Sequence, residues 1–302
     1  MWFWLSLIAL LCWSGSDLFS KIGCQGEDDR LSHLKMVIAV GIVMGLHAAY
    51  QILIGGVGIS LGVFVTYLPV SLLYISSMAI GYLGLRYIEL SISSPICNSS
   101  GALVAVLCLM TGGLGEIVPL QLFATALVCA GVIGLGVVEA REDEDLRSAR
   151  QDEANRHYAK SWLALTLPVI YCLLDALGTF ADSLVLETLN EDSANVAYEL
   201  TFLLAGLVCF VYVVCIKKGK LLPRREVPKY VGALFETAGQ FAYIYAIADS
   251  EHVALSAPII SSYCVVSVLW SRIFLKEKLS GKHYAMVLLV IIGIAILGFF
   301  DA

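Results

Sequence analysis

The sequence predicts an all-α, polytopic membrane protein of ten transmembrane helices, arranged as two inverted five-helix repeats. Three observations carry this. The 302 residues are 59% hydrophobic and 15% charged, and the apolar runs are long enough to cross a hydrocarbon core, which takes about 20 residues of helix. All 19 Lys and Arg residues fall in the windows Lys21 to Lys35, Arg86, Arg141 to Lys160, Lys217 to Lys229 and Arg272 to Lys282, so that cationic connections alternate with cation-free ones. A chain that threads the bilayer repeatedly shows this alternation because basic loops stay in the cytoplasm. Finally, the halves on either side of the Arg141 to Lys160 stretch carry the same landmarks in the same order.

The spans are expected at 2–22, 34–54, 61–84, 94–112, 118–139, 161–186, 195–216, 229–248, 253–274 and 282–300. The first has no basic leader and runs straight into Asp17 and Lys21 without a small-residue cleavage site, so it reads as a helix and not a signal peptide. Asp17 and Lys21 are four residues apart, the spacing of a local ion pair near the membrane boundary. The second span holds Gly41 and Gly45, a GxxxG whose plain use is close helix packing and whose other use is a dimer face. The third carries Tyr67, Ser71, Tyr74 and Met78 on one helical face. Pro95 and Pro258 stand in the fourth and ninth spans, where they bend or gate a helix. The last span is continuously apolar from Ala285 to Phe300, which excludes the alternating pattern of a transmembrane barrel.

The duplication divides the chain into a first repeat over 1–139, a charged cytoplasmic linker over 140–160 and a second repeat over 161–302. Tyr82 precedes Pro95 by the same interval as Tyr245 precedes Pro258, Glu116 and Glu277 each stand ahead of a closing helix, and GVIGLGVVE from Gly131 aligns without gaps to GIAILGFFD from Gly293. An odd number of spans per half makes the second half enter from the opposite face. Inverted repeats are common in secondary transporters, whose substrate lies between the repeats near the midplane.

These features resemble the drug/metabolite transporter superfamily, EamA type. The residues that carry the resemblance are the SSP ending at Pro95, the SAP ending at Pro258, LGE at Leu114 to Glu116, LKEKLS at Leu275 to Ser280, the glycine-rich closing helices, and the first-helix stretch ALLCWSGSDLFSKIG from Ala9 to Gly23. The resemblance covers nearly the whole chain and implies a carrier of metabolites. It is weaker in the first half, where the segment around Glu116 lacks the basic neighbours of Glu277.

Intramembrane acids cost about 2.5 to 3.5 kcal/mol each to insert, so they face a bundle interior or a watery cavity. Asp175, Asp182, Glu236 and His47 lie inside spans, with Gln240 one turn beyond Glu236. Asp175 and Glu236 serve either as interhelical hydrogen-bonding groups or as binding groups for an amine or a coupling proton. Tyr67, Ser71 and Tyr74 offer an aromatic face across a cavity, Asn98 stands beside the Pro95 bend, and His47 is a neutral hydrogen-bonding group or a proton relay. Glu199 reads as an interfacial acid. The nine cysteines are scattered without CxxC spacing, as small buried hydrophobes are. No metal site, cofactor or catalytic residue is expected. HExxH and GxxxxGK[ST] are absent, which argues against a zinc hydrolase and an ATP-driven pump.

The function expected is secondary-active transport of a small metabolite (an amino acid, an amine or another small polar solute) by alternating access. The rivals are an intramembrane enzyme and a non-transporting scaffold of the same fold. Expected partners are the small-molecule substrate, the lipid bilayer and a coupling proton or sodium ion, in a monomer or homodimer. Nothing suggests nucleic acid, since the acids behind the net charge of −6 share loops with the bases. The expected location is the cytoplasmic membrane of the cell, with both termini on the non-cytoplasmic face.

Overall fold

The computed structural model describes residues 1–24, 29–87, 90–111, 118–140, 162–276 and 279–301. These residues form α1 (Trp2–Cys24), α2 (Ser32–Leu53), α3 (Leu61–Tyr87), α4 (Leu90–Asn98), α5 (Ser100–Met110), α6 (Pro119–Ala140), α7 (Trp162–Leu186), α8 (Glu191–Phe210), α9 (Pro223–Ile247), α10 (Val253–Ser261), α11 (Tyr263–Phe274) and α12 (Gly281–Asp301). A single π-helical turn over Val211–Ile216 extends α8. Glu116, Glu277 and the linker at 141–160 lie outside the described residues.

Nine helical stretches among the described residues are long and apolar enough to cross a membrane. The tenth crossing is α9, 25 residues long, whose polar Glu236 and Gln240 set it apart. Outward faces present Leu46, Val208 and Leu288 at 68%, 70% and 56% exposure, a surface suited to lipid because helices leave no backbone group unpaired there.

Two spans are broken where the sequence reading made them continuous. Pro95 and Pro258 sit inside α4 and α10, and each helix ends three residues later, at Asn98 and Ser261. Each proline withholds the N–H that would bond the carbonyl four residues back, at Ser91 and Ala254, which loosens the helix in the turn before the break. The chain then takes a tight turn at Ser99 and at Ser262, whose amides bond to Ile96 and to Pro258 and Ile259. α8 begins at Glu191, earlier than the span expected from 195, because the Asn190 side chain accepts from the amides of Asp192 and Ser193 and so caps a polar first turn.

Packing follows a two-fold exchange of halves. α1 lies along α9 and α3 along α7, two pairs that the exchange swaps; α5–α10 and α4–α11 are swapped likewise, while α2–α8 and α6–α12 map onto themselves. Glycines permit the closest of these approaches. A Cβ on Gly41 would lie 2.7 Å from the Phe202 carbonyl oxygen and 3.0 Å from Gly206, and one on Gly45 would lie 2.8 Å from Leu203. The GxxxG face is therefore filled by α8 of the same chain and is not a free dimer face. The matched glycines Gly131 and Gly293 meet the backbones of α12 and α6 in the same way, at Met286 and Ala124.

Candidate functional site

α1 places Trp13, Ser16, Asp17 and Ser20 on one face, at spacings of three and four residues, and that face looks into a cavity of about 70 Å³. α9 lies along α1 and contributes Glu236, Gln240 and Tyr243; α7 contributes Tyr171, Asp175 and Thr179; α3 contributes Tyr74, Met78 and Tyr82. The broken spans close the remaining sides with Ser94 and Asn98 from one half, and Ser261 and Tyr263 from the other.

Each acid of the cavity is held by a hydroxyl from another helix. Glu236 Oε2 accepts from Ser16 Oγ at 2.7 Å, and Asp175 Oδ2 accepts from Ser100 Oγ at 2.7 Å. Asp17 Oδ2 accepts from Ser94 Oγ at 2.5 Å and from Ser267 Oγ at 2.8 Å. The local pairing of Asp17 with Lys21 expected from their spacing gives way to these bonds: the carboxylate turns inward to α4 and α11, and Lys21 donates to the Leu85 carbonyl at 2.7 Å. Two serines can be reached by a short aspartate deep in the bundle, whereas the longer lysine reaches the end of α3.

Glu236 feels the charges of both Asp17 and Asp175, and no Lys, Arg or His stands among the described lining residues. Three carboxyl groups thus share one enclosed space without a cation. Aromatic rings frame it. Trp13 lies 5.1 Å from Tyr243 and 5.9 Å from Tyr263, and Tyr74 lies 6.0 Å from Tyr198, measured between ring centroids. Four buried polar groups on the wall have no hydrogen-bond partner among the described residues: Trp13 Nε1, Ser20 Oγ, Tyr82 Oη and Gln240 Nε2.

Of the residues singled out in the sequence, Asp175, Glu236, Gln240, Tyr74 and Asn98 line this cavity. The Asn98 amide also donates to the Ser94 carbonyl at 2.8 Å, bridging the last turn before the break. Tyr67 and Ser71 do not line it. Both are fully buried, and Tyr67 Oη donates to Asp182 Oδ1 at 2.8 Å. His47 stands elsewhere, at the α2–α8 contact, with Nδ1 2.7 Å from Glu199 Oε1 and its ring edge-on to Phe241. Glu199, expected at the interface, is fully buried in that pair. Pro95 and Pro258 do not line it; they stand inside α4 and α10, one turn before the breaks. The sequence reading missed Trp13, Ser16, Ser20, Tyr171, Tyr198 and Tyr263; for α1, the periodic face around Asp17 was the available signal.

At the cationic end of the bundle, Lys35 Nζ donates to Asp29 Oδ2 at 2.7 Å and to the Lys220 carbonyl at 2.8 Å. It also lies 3.4 Å from Glu226, which pairs with Lys229 at 2.7 Å. Partial burial pushes the Asp29 carboxyl up, but the Lys35 ammonium and the Leu31 amide outweigh it and hold the group below its ordinary value. This latch joins α2, α9 and two connections beneath the cavity.

Residues 162–299 match the model of the EamA-like transporter family. A crystal structure of a protein with 13% sequence identity superposes with a TM-score of 0.63, covering 98% of this chain and 96% of that one; at that identity the likeness concerns the fold alone. Comparison with curated proteins finds no match.

Proposed function

We propose, from the match of residues 162–299 to the EamA-like transporter family, that this chain carries a small amine-bearing solute, such as an amino acid, across the membrane by alternating access. That match, over just under half of the chain, supports reading it as a multi-pass membrane transporter of the drug/metabolite transporter superfamily. The observation that carries the finer reading is the cavity itself: Asp17, Asp175 and Glu236 face one enclosed space whose described lining holds no cation. A protonated amine answers that charge, and the framing rings add cation–π attraction. The unpartnered Ser20, Tyr82 and Gln240 groups are donors for a second, acceptor end of the cargo, such as a carboxylate or carbonyl, because a buried donor left unmatched costs about 1 to 3 kcal/mol. Strongly anionic cargo fits poorly, since phosphates want cationic partners.

Access alternates by exchanging the two symmetry-related contacts, α1–α9 and α3–α7, between closed and open. Pro95 and Pro258 supply the bends on which the gating half-helices turn. We place the chain in the cytoplasmic membrane with its basic connections inside. A thermal-shift screen of amino acids, polyamines and nucleotides, followed by flux into proteoliposomes, tests the reading. Stabilisation and gradient-driven uptake confined to amine-bearing members support it. Stabilisation by nucleotides alone, or no flux of any member, overturns it.

A further inference from the structure

Asp182 is the one acid inside α7 that the cargo cavity does not use. It lies seven residues beyond Asp175, roughly 10 Å along the helix, and four residues before the helix ends at Leu186, at the face whose connections hold no Lys or Arg. Its side chain is fully buried. Tyr67 donates to Oδ1 at 2.8 Å, while Oδ2 has no hydrogen-bond partner among the described residues. The titratable groups that face it are Tyr67 and Tyr74 from α3 and Tyr243 from α9, with Tyr198 of α8 against Tyr74 and Asp175 on its own helix. None is a cation.

We propose that Asp182 is a proton-binding site, distinct from the acids that hold the cargo, and that it couples transport to a proton taken up from the cation-free side of the membrane. A buried carboxylate whose only neighbours are the neutral hydroxyls of Tyr67, Tyr74 and Tyr243, with no cation beside it, is costly, and the neutral acid is the form this enclosure holds most cheaply. Loading forms an O–H bond on Oδ2 as a hydronium ion from the outer water gives up its proton, and release reverses that step with no change in oxidation state. The added O–H then needs an acceptor, and the structure supplies one close at hand. Tyr74 donates to Thr179 Oγ1 at 3.0 Å and its hydroxyl meets that of Tyr243; all three residues also line the cavity. Thr179 sits between Asp175 and Asp182 on the same face of α7, so a single layer of hydroxyls separates the proton from the cargo. Tyr67 closes the outer side and shields the site from water until α3 and α7 part.

This inference rests on the carrier reading only for the use made of the proton. Infrared difference spectra of the full chain in lipid, recorded across a pH titration, should show a protonated-carboxyl band that disappears on alkalinisation, is missing in Asp182→Asn and persists in Asp175→Asn. In proteoliposomes loaded with the amino-acid panel, Asp182→Asn should keep counterflow exchange and lose at least tenfold of its pH-gradient-driven accumulation. A band unchanged in Asp182→Asn, or accumulation undiminished, overturns the proposal. Should Asp182→Asn lack a cooperative melt, Tyr67→Phe replaces it: a displaced titration of the band supports the site, and an unmoved one refutes it. Absence of flux for every panel member sinks the carrier reading and leaves the infrared result to decide the proton site alone.

Discussion

Ser16 on α1 donates to Glu236 on α9 across 2.7 Å, so the acid in the middle of the ninth helix is held by the helix that a two-fold exchange would replace with α7. The bond needs an acceptor at Glu236 but not a charge. Glu236→Gln should therefore preserve the fold, because the amide oxygen still accepts from Ser16, while weakening an amine-bearing ligand by about tenfold to a hundredfold, the value of a hydrogen bond to a charged group. Calorimetric titration with whichever amine stabilises the parent protein measures this. Unchanged affinity would remove Glu236 from cargo recognition.

Gly41 allows α2 to rest on the backbone of α8, with an added Cβ only 2.7 Å from the Phe202 carbonyl oxygen. Gly41→Val should destabilise the protein by about 1 to 3 kcal/mol through overpacking against atoms that cannot rotate away. Gly62→Ala, whose Cβ would meet Ser60 Oγ at 3.6 Å, serves as the control and should leave the melting temperature in detergent near the parent value.

The latch of Asp29 on Lys35 makes the cationic end sensitive to acid. The folded-state carboxyl lies below its ordinary value, so its contribution is complete above the unfolded value of about 3.9 and is lost as pH falls through the depressed folded one. Asp29 is 29% exposed, and solvent screening keeps the effect small. Limited proteolysis of the connection at 217–222, followed from neutral pH to about pH 3, should quicken in the parent and show a flatter acid response in Asp29→Asn.

Replacing Pro95 and Pro258 by alanine supplies an N–H toward the Ser91 and Ala254 carbonyls and stiffens α4 and α10 one turn before the breaks. The double variant should bind its ligand as the parent does and lose at least several-fold in transport rate. Equal rates would show that the breaks shape the cavity without moving.

A reporter fused after the last residue should be active only on the non-cytoplasmic face, as the position of the basic connections requires. Activity in the cytoplasm would reverse the orientation and leave the repeat architecture as it is.

Much of this was legible because the bilayer leaves few alternatives: an apolar run such as Ala285 to Phe300 can only be a spanning helix. The positions of Asp175, Glu236 and Gln240 on the cavity were legible too, since a carboxyl group in a span must turn inward. Other features depended on partners far away in sequence. Asp17 had a plausible neighbour in Lys21, and only the folded bundle brings Ser94 and Ser267 within reach of it. Pro95 announced a bend, but the exact residue at which α5 restarts depends on packing against α10. His47 and Glu199 were each visible as polar groups in or near a span; that they meet follows from the contact between α2 and α8, for which the sequence offers only the glycines.

The breaks at Ser99 and Ser262 have an electrostatic consequence. Each starts a new helix in the middle of the membrane, and a helix start carries about half a unit of positive charge on its unpaired amides. α5 begins at Ser100, the residue that donates to Asp175, and α11 begins at Tyr263 on the cavity wall. The cavity thus has partial counter-charge built from main chain, where a lysine would have competed with the cargo for the same carboxylates. An arriving ammonium has no resident side-chain cation to displace among the described lining residues.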